Sequence, residues 1–287
     1  MSMPRVLLCL TIIPVGLAFL SFAGNGSPTV QAANPAPAAA APAGDTALHA
    51  NWKLLWEDDF SKDKAIDKTK WTFEVNGNGG GNGEMQYYTD SPKNAHIENG
   101  ELVITAIKEN YKGKQYTSAR MTTSKNFSVL YGRIEACIKA PKAQQGNWPA
   151  FWMMPQDSKY GGLPKSGEID IMEFVNKEDK LYGTCHYGNQ DTHTGAQATV
   201  PGGDFSKDYH VYAVEWEKAE IRWYLDGKYY GKITKWSTPG GPFPAPFDQK
   251  FFVILNYAVG GAWPKAPDTN STFPQSMNVK YVRVYQP

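Results

Sequence analysis

The stretch EIRWYLDGKYYGKI, residues 220 to 233, places an Asp-Gly pair between two runs of aromatic and β-branched residues. Asp-Gly is the pair that a two-residue hairpin turn prefers, because such turns need positive φ angles. The segment Leu225-Asp226-Gly227-Lys228 therefore predicts a β-hairpin. It fixes one antiparallel pair of strands.

Similar short runs recur along the chain and predict further strands. They are ELVITAIK (101–108), YGRIEACIKA (131–140), HVYAVEWE (210–217), FFVILNYAV (251–259) and VKYVRVYQ (279–286). No convincing stretch has apolar residues at helical spacing, and no repeat of fixed period is present, which disfavours doubly wound α/β and solenoid folds. The sequence predicts an all-β sandwich of two packed antiparallel sheets.

The composition and net charge of the chain argue against several classes of function. The 287 residues are 41% hydrophobic and 13% aromatic, which suits one large globular domain. The formal net charge of +1 gives no electrostatic reason to expect nucleic acid or an anionic membrane as partner. Cysteine and histidine are too few and too scattered for a metal cluster, so we expect no cofactor and no catalytic metal. A monomer is the default expectation.

The first 50 residues have the composition of a signal peptide followed by a linker. Arg5, the apolar run at 6–24 and the small-residue spacing at 30–32 predict a signal peptide over 1–32 and a secreted, extracellular or periplasmic protein, with no membrane attachment after cleavage. A Pro/Ala-rich linker at 33–50 follows, and the folded domain is predicted over 51–287. Cys137 and Cys185 remain after cleavage, either as a disulfide or as two separate buried thiols.

The stretch GEIDIMEF, residues 167 to 174, places three acids in an apolar strand. Strict alternation would put Glu168 and Asp170 on one face and Glu173 among isoleucines on the other. An unpaired buried carboxylate costs several kcal/mol. A β-bulge near Ile171-Met172 resets the parity and brings all three acids onto one face.

Paired carboxylates on one surface are what glycoside hydrolysis requires, one to attack the sugar and one to protonate the leaving oxygen. A solvated acidic face paired with Lys or Arg is the competing interpretation. The apolar neighbours and the preceding PAFWMMP favour catalysis. Trp148 and Trp263 lie in Gly/Pro-containing segments and are candidates to stack on sugar rings, while Trp152 fits packing equally well.

A Gly-rich loop at 75–94 lacks the Gly-Lys-Ser/Thr ending of a phosphate loop, which argues against nucleotide binding. Its motif NGNGGGNGEMQYYT, together with YTSARMTTS, GRIEACIKAPK, NWPAFWMMP, GEIDIMEF, YGTCHYG and FFVILNYAVGG, resembles glycoside hydrolase family 16, and within it the bacterial laminarinases, the endo-β-1,3-glucanases. The resemblance runs almost continuously from Trp56 to Gln286.

This resemblance implies a β-jelly roll of two curved antiparallel sheets with a substrate cleft on the concave one. It also implies the bulged motif Glu-x-Asp-x-x-Glu, with Glu168 as nucleophile, Glu173 as general acid/base and Asp170 orienting the nucleophile. Glu173 must then be protonated while Glu168 is ionised. By position in the matching motifs, the expected substrate-binding residues are Trp148, Trp152, His186, Arg120, Glu84, Gln86, Asn256 and Trp263.

Two positions depart from the family pattern. Family members often carry an Asp before the last strand as a ligand of a structural calcium, with further groups near positions 59 and 100. Here Asn278-Val279-Lys280 occupies that place, and a lysine repels a cation, so we expect no calcium or a weakened site, with Lys280 pairing with Asp59 instead. The second is Cys137, where a polar residue is expected.

Three functions compete. The first is a secreted, retaining endo-β-1,3-glucanase. The second is a non-catalytic glucan-binding protein of the same fold, which the presence of all three acids disfavours. The third is a hydrolase of the same fold acting on mixed-linkage glucan, agarose or a carrageenan. The near-neutral charge argues against a sulfated substrate but leaves mixed-linkage glucan open.

Overall fold

The structure is a computed structural model that describes residues 52–176, 180–189, 192–198 and 203–287. The predicted signal peptide and linker lie outside the described residues. Within those ranges no residue is helical, and no segment is a helix long and apolar enough to cross a bilayer. The strands are β1 Lys53–Asp58, β2 Thr72–Phe73, β3 Gln86–Tyr88, β4 Ala95–Glu98, β5 Glu101–Ala106, β6 Tyr116–Ser118, β7 Arg120–Thr122, β8 Gly132–Lys139, β9 Asn147–Pro155, β10 Glu168–Glu173, β11 Leu181–Tyr187, β12 Thr192–Ala198, β13 His210–Glu217, β14 Glu220–Leu225, β15 Lys228–Ile233, β16 Phe251–Val259 and β17 Gln275–Gln286.

The strands form two antiparallel sheets, which confirms the predicted all-β jelly-roll sandwich. The eight-stranded sheet has the order β15-β14-β13-β8-β17-β5-β4, with β1 also paired to β17. The seven-stranded sheet has the order β12-β11-β10-β9-β16-β7-β2. The short strands β3 and β6 make a separate parallel pair.

The core lies between the two sheets, and alternation along each strand decides which side chains enter it. In β9, Phe151 and Met153 are fully buried in the core, whereas Trp148, Trp152 and Met154 on the other face keep part of their surface exposed. The face of the seven-stranded sheet that points away from the core is therefore rich in aromatic and polar groups. This face carries the candidate site.

The predicted hairpin connects β14 and β15. Leu225 pairs with Lys228, which leaves Asp226 and Gly227 as the two turn residues. Both have positive φ, 50° and 74°, as a type I′ turn requires. The local Asp-Gly signal therefore gave the turn residues correctly.

The two described cysteines are free and buried in different places. Cys185 belongs to the core between the sheets, whereas Cys137 packs with Val211 and Tyr281 in a separate small cluster. Of the two interpretations left open by the sequence, separate buried thiols is the correct one. Burial raises the pKa of Cys137 to about 12, so this thiol is a packing group.

Candidate active site

The bulge in β10 organises the site. The strand register breaks immediately after Asp170 against both neighbouring strands. Ile171 and Met172 are both fully buried in the core, so the extra residue is accommodated on the inner face and Glu173 returns to the outer face with Glu168 and Asp170. The predicted bulge is confirmed at the predicted place.

The outer face forms the floor of a cleft of about 840 Å³. Strands β7, β9, β10, β11 and β12 supply much of its lining, and loops around positions 80, 163 and 263 supply its walls. The lining residues are Gly80, Gly81, Asn82, Arg120, Trp148, Trp152, Met154, Leu163, Pro164, Glu168, Glu173, Tyr182, Gly183, Thr184, His186, His193, Gly195 and Trp263. The cleft is thus lined by acids, imidazoles and aromatic rings.

Burial dominates the electrostatics of the three acids. It raises the pKa of Glu168 and of Asp170, and it raises that of Glu173 to about 7. Repulsion adds to the effect, because the charge of Asp170 acts on Glu168 and the charge of Glu168 acts on Glu173. The cluster therefore keeps protons near neutral pH that ordinary carboxyls would have lost.

Glu168 and Asp170 are hydrogen-bonded to each other, so one proton serves both carboxyls. His186 Nε2 lies 3.3 Å from Asp170 Oδ2. His186 and Arg120 both favour the ionised form of Glu168. The hydrogen bond between Glu168 and Asp170 raises the pKa of Glu168 and lowers that of Asp170, so the shared proton lies on Glu168. Once the proton passes to Asp170, Asp170 donates to an ionised Glu168 and holds its orientation.

Glu173 accepts a separate hydrogen bond from an indole. Trp148 Nε1 donates to Glu173 Oε1 at 2.8 Å, which lowers the pKa of Glu173 against the effect of burial. The Trp148 ring meets Trp263 edge-on at 5.7 Å, and Trp263 meets Tyr182 in the same way at 5.2 Å. Three aromatic rings thus line the cleft next to Glu173.

A second aromatic group lies at the other end of β9. The Arg120 guanidinium lies over the Trp152 ring, 4.7 Å from its centroid, and Arg120 Nε is 3.2 Å from Glu74 Oε2. Arg120 therefore lines the cleft and also forms an ion pair with Glu74. Trp152, for which packing was an equal alternative, has its ring in the cleft lining.

Glu84, Gln86 and Asn256 lie one layer behind the cleft lining and are about 95% buried or more. Asn256 Oδ1 accepts from Trp152 Nε1 at 2.6 Å, and Asn256 Nδ2 donates to Tyr88 at 3.1 Å. Tyr88 and Gln86 both donate to Glu84 Oε2, at 3.0 and 2.6 Å. The structure places these three predicted binding residues where they support Trp152 and the Gly-rich loop rather than in the cleft lining.

Comparison with known proteins assigns the chain to a family. The profile of Glycosyl hydrolases family 16 matches residues 82–282. The chain belongs to glycosyl hydrolase family 16.

Individual family 16 relatives match over most of the chain. A beta-glucanase from Rhodothermus marinus is 41% identical, with 84% of this chain and 87% of that protein covered. The laminarinase catalytic domain from Thermotoga maritima is 41% identical with a TM-score of 0.73, over 82% of this chain and 98% of that one. A non-specific endo-beta-1,3(4)-glucanase, co-crystallised with a glucan oligosaccharide, is 34% identical with a TM-score of 0.74, over 83% and 95%.

This family 16 chain is therefore a glycoside hydrolase, and its three acids occupy the bulged strand that the sequence resemblance implied. Glu168, Asp170 and His186 also have the spacing of a metal site, since one ligand atom from each lies within 4.8 Å of the others. A bound cation would neutralise the charge of Glu168.

The residues expected near a family 16 calcium site do not fit a cation. Lys280 Nζ lies over the Tyr209 ring, 4.0 Å from its centroid, and Tyr209 donates to Glu101. Asn278 also donates to Glu101, at 3.3 Å. The Glu101 carboxylate thus accepts from a phenol and an amide, with an ammonium group over the phenol ring, which is the wrong donor set for Ca²⁺.

Sequence reasoning missed several lining residues of this family 16 cleft. Tyr182 and Thr184 share a face of β11 with the predicted His186, so strand parity could have identified them. His193 is paired with His186 across β11 and β12, and its ring centroid lies 5.6 Å from that of His186. The sequence of β12, which carries His193, did not predict a strand.

Proposed function

We propose that this chain is a secreted, retaining endo-1,3-β-glucanase that cleaves laminarin-like β-glucan by double displacement. The observation that carries the proposal is the bulge after Asp170, which brings Glu168 and Glu173 to the floor of one cleft. The relatives named laminarinase and beta-glucanase support the choice of substrate. We further propose a monomer that needs no cofactor.

Each acid has a distinct role in this proposal. Glu168, ionised beside Arg120 and His186, attacks the anomeric carbon, while Glu173 protonates the departing glycosidic oxygen. The glycosyl ester then removes the charge of Glu168. That charge raises the pKa of Glu173, so the pKa falls once the ester forms. Glu173, which has given up its proton, then stays ionised and can act as the base that accepts a proton from water.

The aromatic rings give the cleft its preference for sugar. Trp148 and Trp152 lie four residues apart on one face of β9, about 13 Å at 3.3 Å per residue. This distance exceeds one pyranose ring, so the two indoles can contact different sugars of one chain. Such a surface binds an extended polysaccharide rather than a single monosaccharide.

The test is release of reducing sugar from laminarin, barley mixed-linkage glucan and agarose by the wild-type protein and by E168Q. We expect laminarin to be the best substrate and E168Q to lose at least about 10³-fold in kcat while still binding laminarin. Greater activity on barley glucan would support the mixed-linkage alternative, which the likeness to a non-specific β-1,3(4)-glucanase makes worth testing.

Binding of laminarin without hydrolysis of any of the three polymers would contradict the proposal and support a glucan-binding protein. Secretion is tested separately by sequencing the N-terminus of protein recovered from the medium. The proposed cleavage after residue 32 predicts a mature chain that starts with Ala33-Asn34.

A further inference from the structure

We infer that Trp223, a core residue of the eight-stranded sheet, is a positioning residue that holds the catalytic bulge in place from behind. Trp223 lies in β14 and is fully buried. It belongs to the opposite sheet from the catalytic acids and has no access to the cleft. Its contact with the site runs through the backbone.

The contact is a hydrogen bond to the bulge itself. Trp223 Nε1 donates to the backbone carbonyl oxygen of Asp170 at 2.8 Å, and the strand register breaks immediately after Asp170. A carbonyl that lies in the plane of the sheet points to a neighbouring strand. This one is reached from the facing sheet, so it is turned towards the core, and a buried carbonyl needs a donor there.

Gly183 provides the space for this contact. It lies in β11, where its neighbours Thr184 and Tyr182 pair with Asp170 and Glu173 on either side of the bulge. A Cβ atom at Gly183 would lie 2.4 Å from Cδ1 and 2.6 Å from Nε1 of Trp223. Gly183 does not have the positive φ that favours glycine, so the indole is the reason that a side chain is excluded.

These observations connect a core residue to the geometry of catalysis. Asp170 and Glu173 lie on the two sides of the bulge, and both must face the cleft for the reaction. If the donor at 223 is lost, the turned carbonyl has no partner and the bulge relaxes. The carboxyl of Glu173 then moves relative to Glu168, whereas the indoles of β9 that hold the sugar stay in place.

The test compares W223F with W216F, because the two wild-type tryptophans are closely matched. Trp216 is also fully buried in the eight-stranded sheet, and its Nε1 donates to a backbone carbonyl, that of Phe247, at 3.1 Å. We expect W223F to lower kcat by about 10- to 100-fold with KM within about twofold, since small misplacements of catalytic groups have effects of this size. W216F should lower the melting temperature by about as much as W223F does, but it should leave kcat within about twofold of the wild-type value.

A second variant keeps the test informative if W223F folds poorly. G183A retains the indole but pushes it away from the bulge, so kcat should fall without loss of the tryptophan. In the double variant G183A/W223F the smaller phenyl ring relieves the clash, and we expect kcat no lower than in W223F alone. Equal kcat for W223F, G183A and the wild type, or equal losses in W223F and W216F, would overturn the inference.

The choice of laminarin for these kinetics rests on the proposed function, but the inference does not depend on it. Amide hydrogen exchange in β10 supplies a readout without substrate. Exchange at residues 170–173 should be faster in W223F than in W216F. Failure of the wild type to hydrolyse laminarin, with this difference present, would refute the proposed function and leave the positioning role of Trp223 standing.

Discussion

Trp148 donates its indole N–H to Glu173 Oε1 at 2.8 Å, so a residue of the proposed sugar-binding surface also affects the pKa of the proposed catalytic acid. This hydrogen bond favours the ionised form of Glu173 and opposes the effect of burial on its pKa. The pKa of Glu173 is therefore set partly by an indole of the proposed sugar-binding surface.

Replacing Trp148 by Phe should raise the pKa of Glu173, because the hydrogen bond to its ionised form is lost. The acid then stays protonated to higher pH, so the alkaline limb of the profile of kcat/KM against pH shifts to higher pH. We also expect kcat/KM at the optimum to fall about tenfold, the effect of losing one hydrogen bond of about 1.4 kcal/mol. W152F is the control, since Trp152 donates to Asn256 instead; it should raise KM without moving the limb.

The raised pKa of Glu173 predicts a stability change with a definite sign. The native state binds the proton of Glu173 more tightly than the unfolded chain, because the pKa is raised from 4.5 to about 7. The contribution to the free energy of unfolding is complete below pH 4.5 and is lost as pH rises through 7. E173Q has no proton to lose at this position, so it should equal the wild type at pH 4 and exceed it by about 3 kcal/mol at pH 8.

Urea denaturation at pH 4, 6 and 8 measures this difference. E98Q is the matched control, since it makes the same replacement at a glutamate that is exposed at the end of β4. An E173Q variant that is less stable than the wild type at pH 8 would contradict the assignment of Glu173 as a buried carboxyl with raised pKa.

A retaining mechanism predicts chemical rescue of E173A. Without its acid/base, the enzyme should lose about 10²- to 10⁴-fold in kcat on laminarin. On an aryl β-glucan oligosaccharide with a good leaving group the ester still forms, and its hydrolysis limits the rate. Sodium azide needs no general base, so it should restore turnover and give a β-glycosyl azide, as NMR of the product would establish. An α-azide would identify an inverting reaction at this site.

Asn256 should affect binding more than chemistry. Its side chain joins Trp152 to Tyr88 from behind the cleft lining, so N256A releases the indole while leaving the three acids untouched. We expect KM for laminarin to rise about tenfold and kcat to stay within about threefold, with a stability loss of about 1 to 3 kcal/mol from the unpaired groups. N278A, on the opposite sheet, should change neither constant.

Calcium should have no effect on stability. The groups around Lys280 and Tyr209 offer a cation no suitable set of oxygens, so binding to the native state cannot add to its free energy of unfolding. Thermal unfolding in EDTA and in about 5 mM CaCl₂, about 5- to 50-fold above the dissociation constants of weak extracellular Ca²⁺ sites, should give equal melting temperatures. A higher value in calcium would show that this region, or another, binds the ion.

Local chemistry determined which parts of this molecule were predictable. The Asp226-Gly227 turn and the bulge at Ile171-Met172 both follow from neighbours in sequence, the first from turn geometry and the second from the cost of burying Glu173. The position of Asn256 behind Trp152 does not follow from neighbours in sequence, because it depends on which strand lies beside β9. That neighbour, β16, is about a hundred residues away in sequence, and no local pattern encodes it.

The pairing of β1 with β17 brings Lys53 opposite Gln286, in the sheet that faces away from the sugar. A short linker between these strands would close the backbone into a ring, and new ends opened at the Asp226-Gly227 turn would leave every cleft residue in its original strand. Circular permutants of this kind should hydrolyse glucan at close to the parental rate. By the same geometry, carbohydrate-binding modules fused to either strand would extend from the rear of the enzyme and leave the path of the polysaccharide clear.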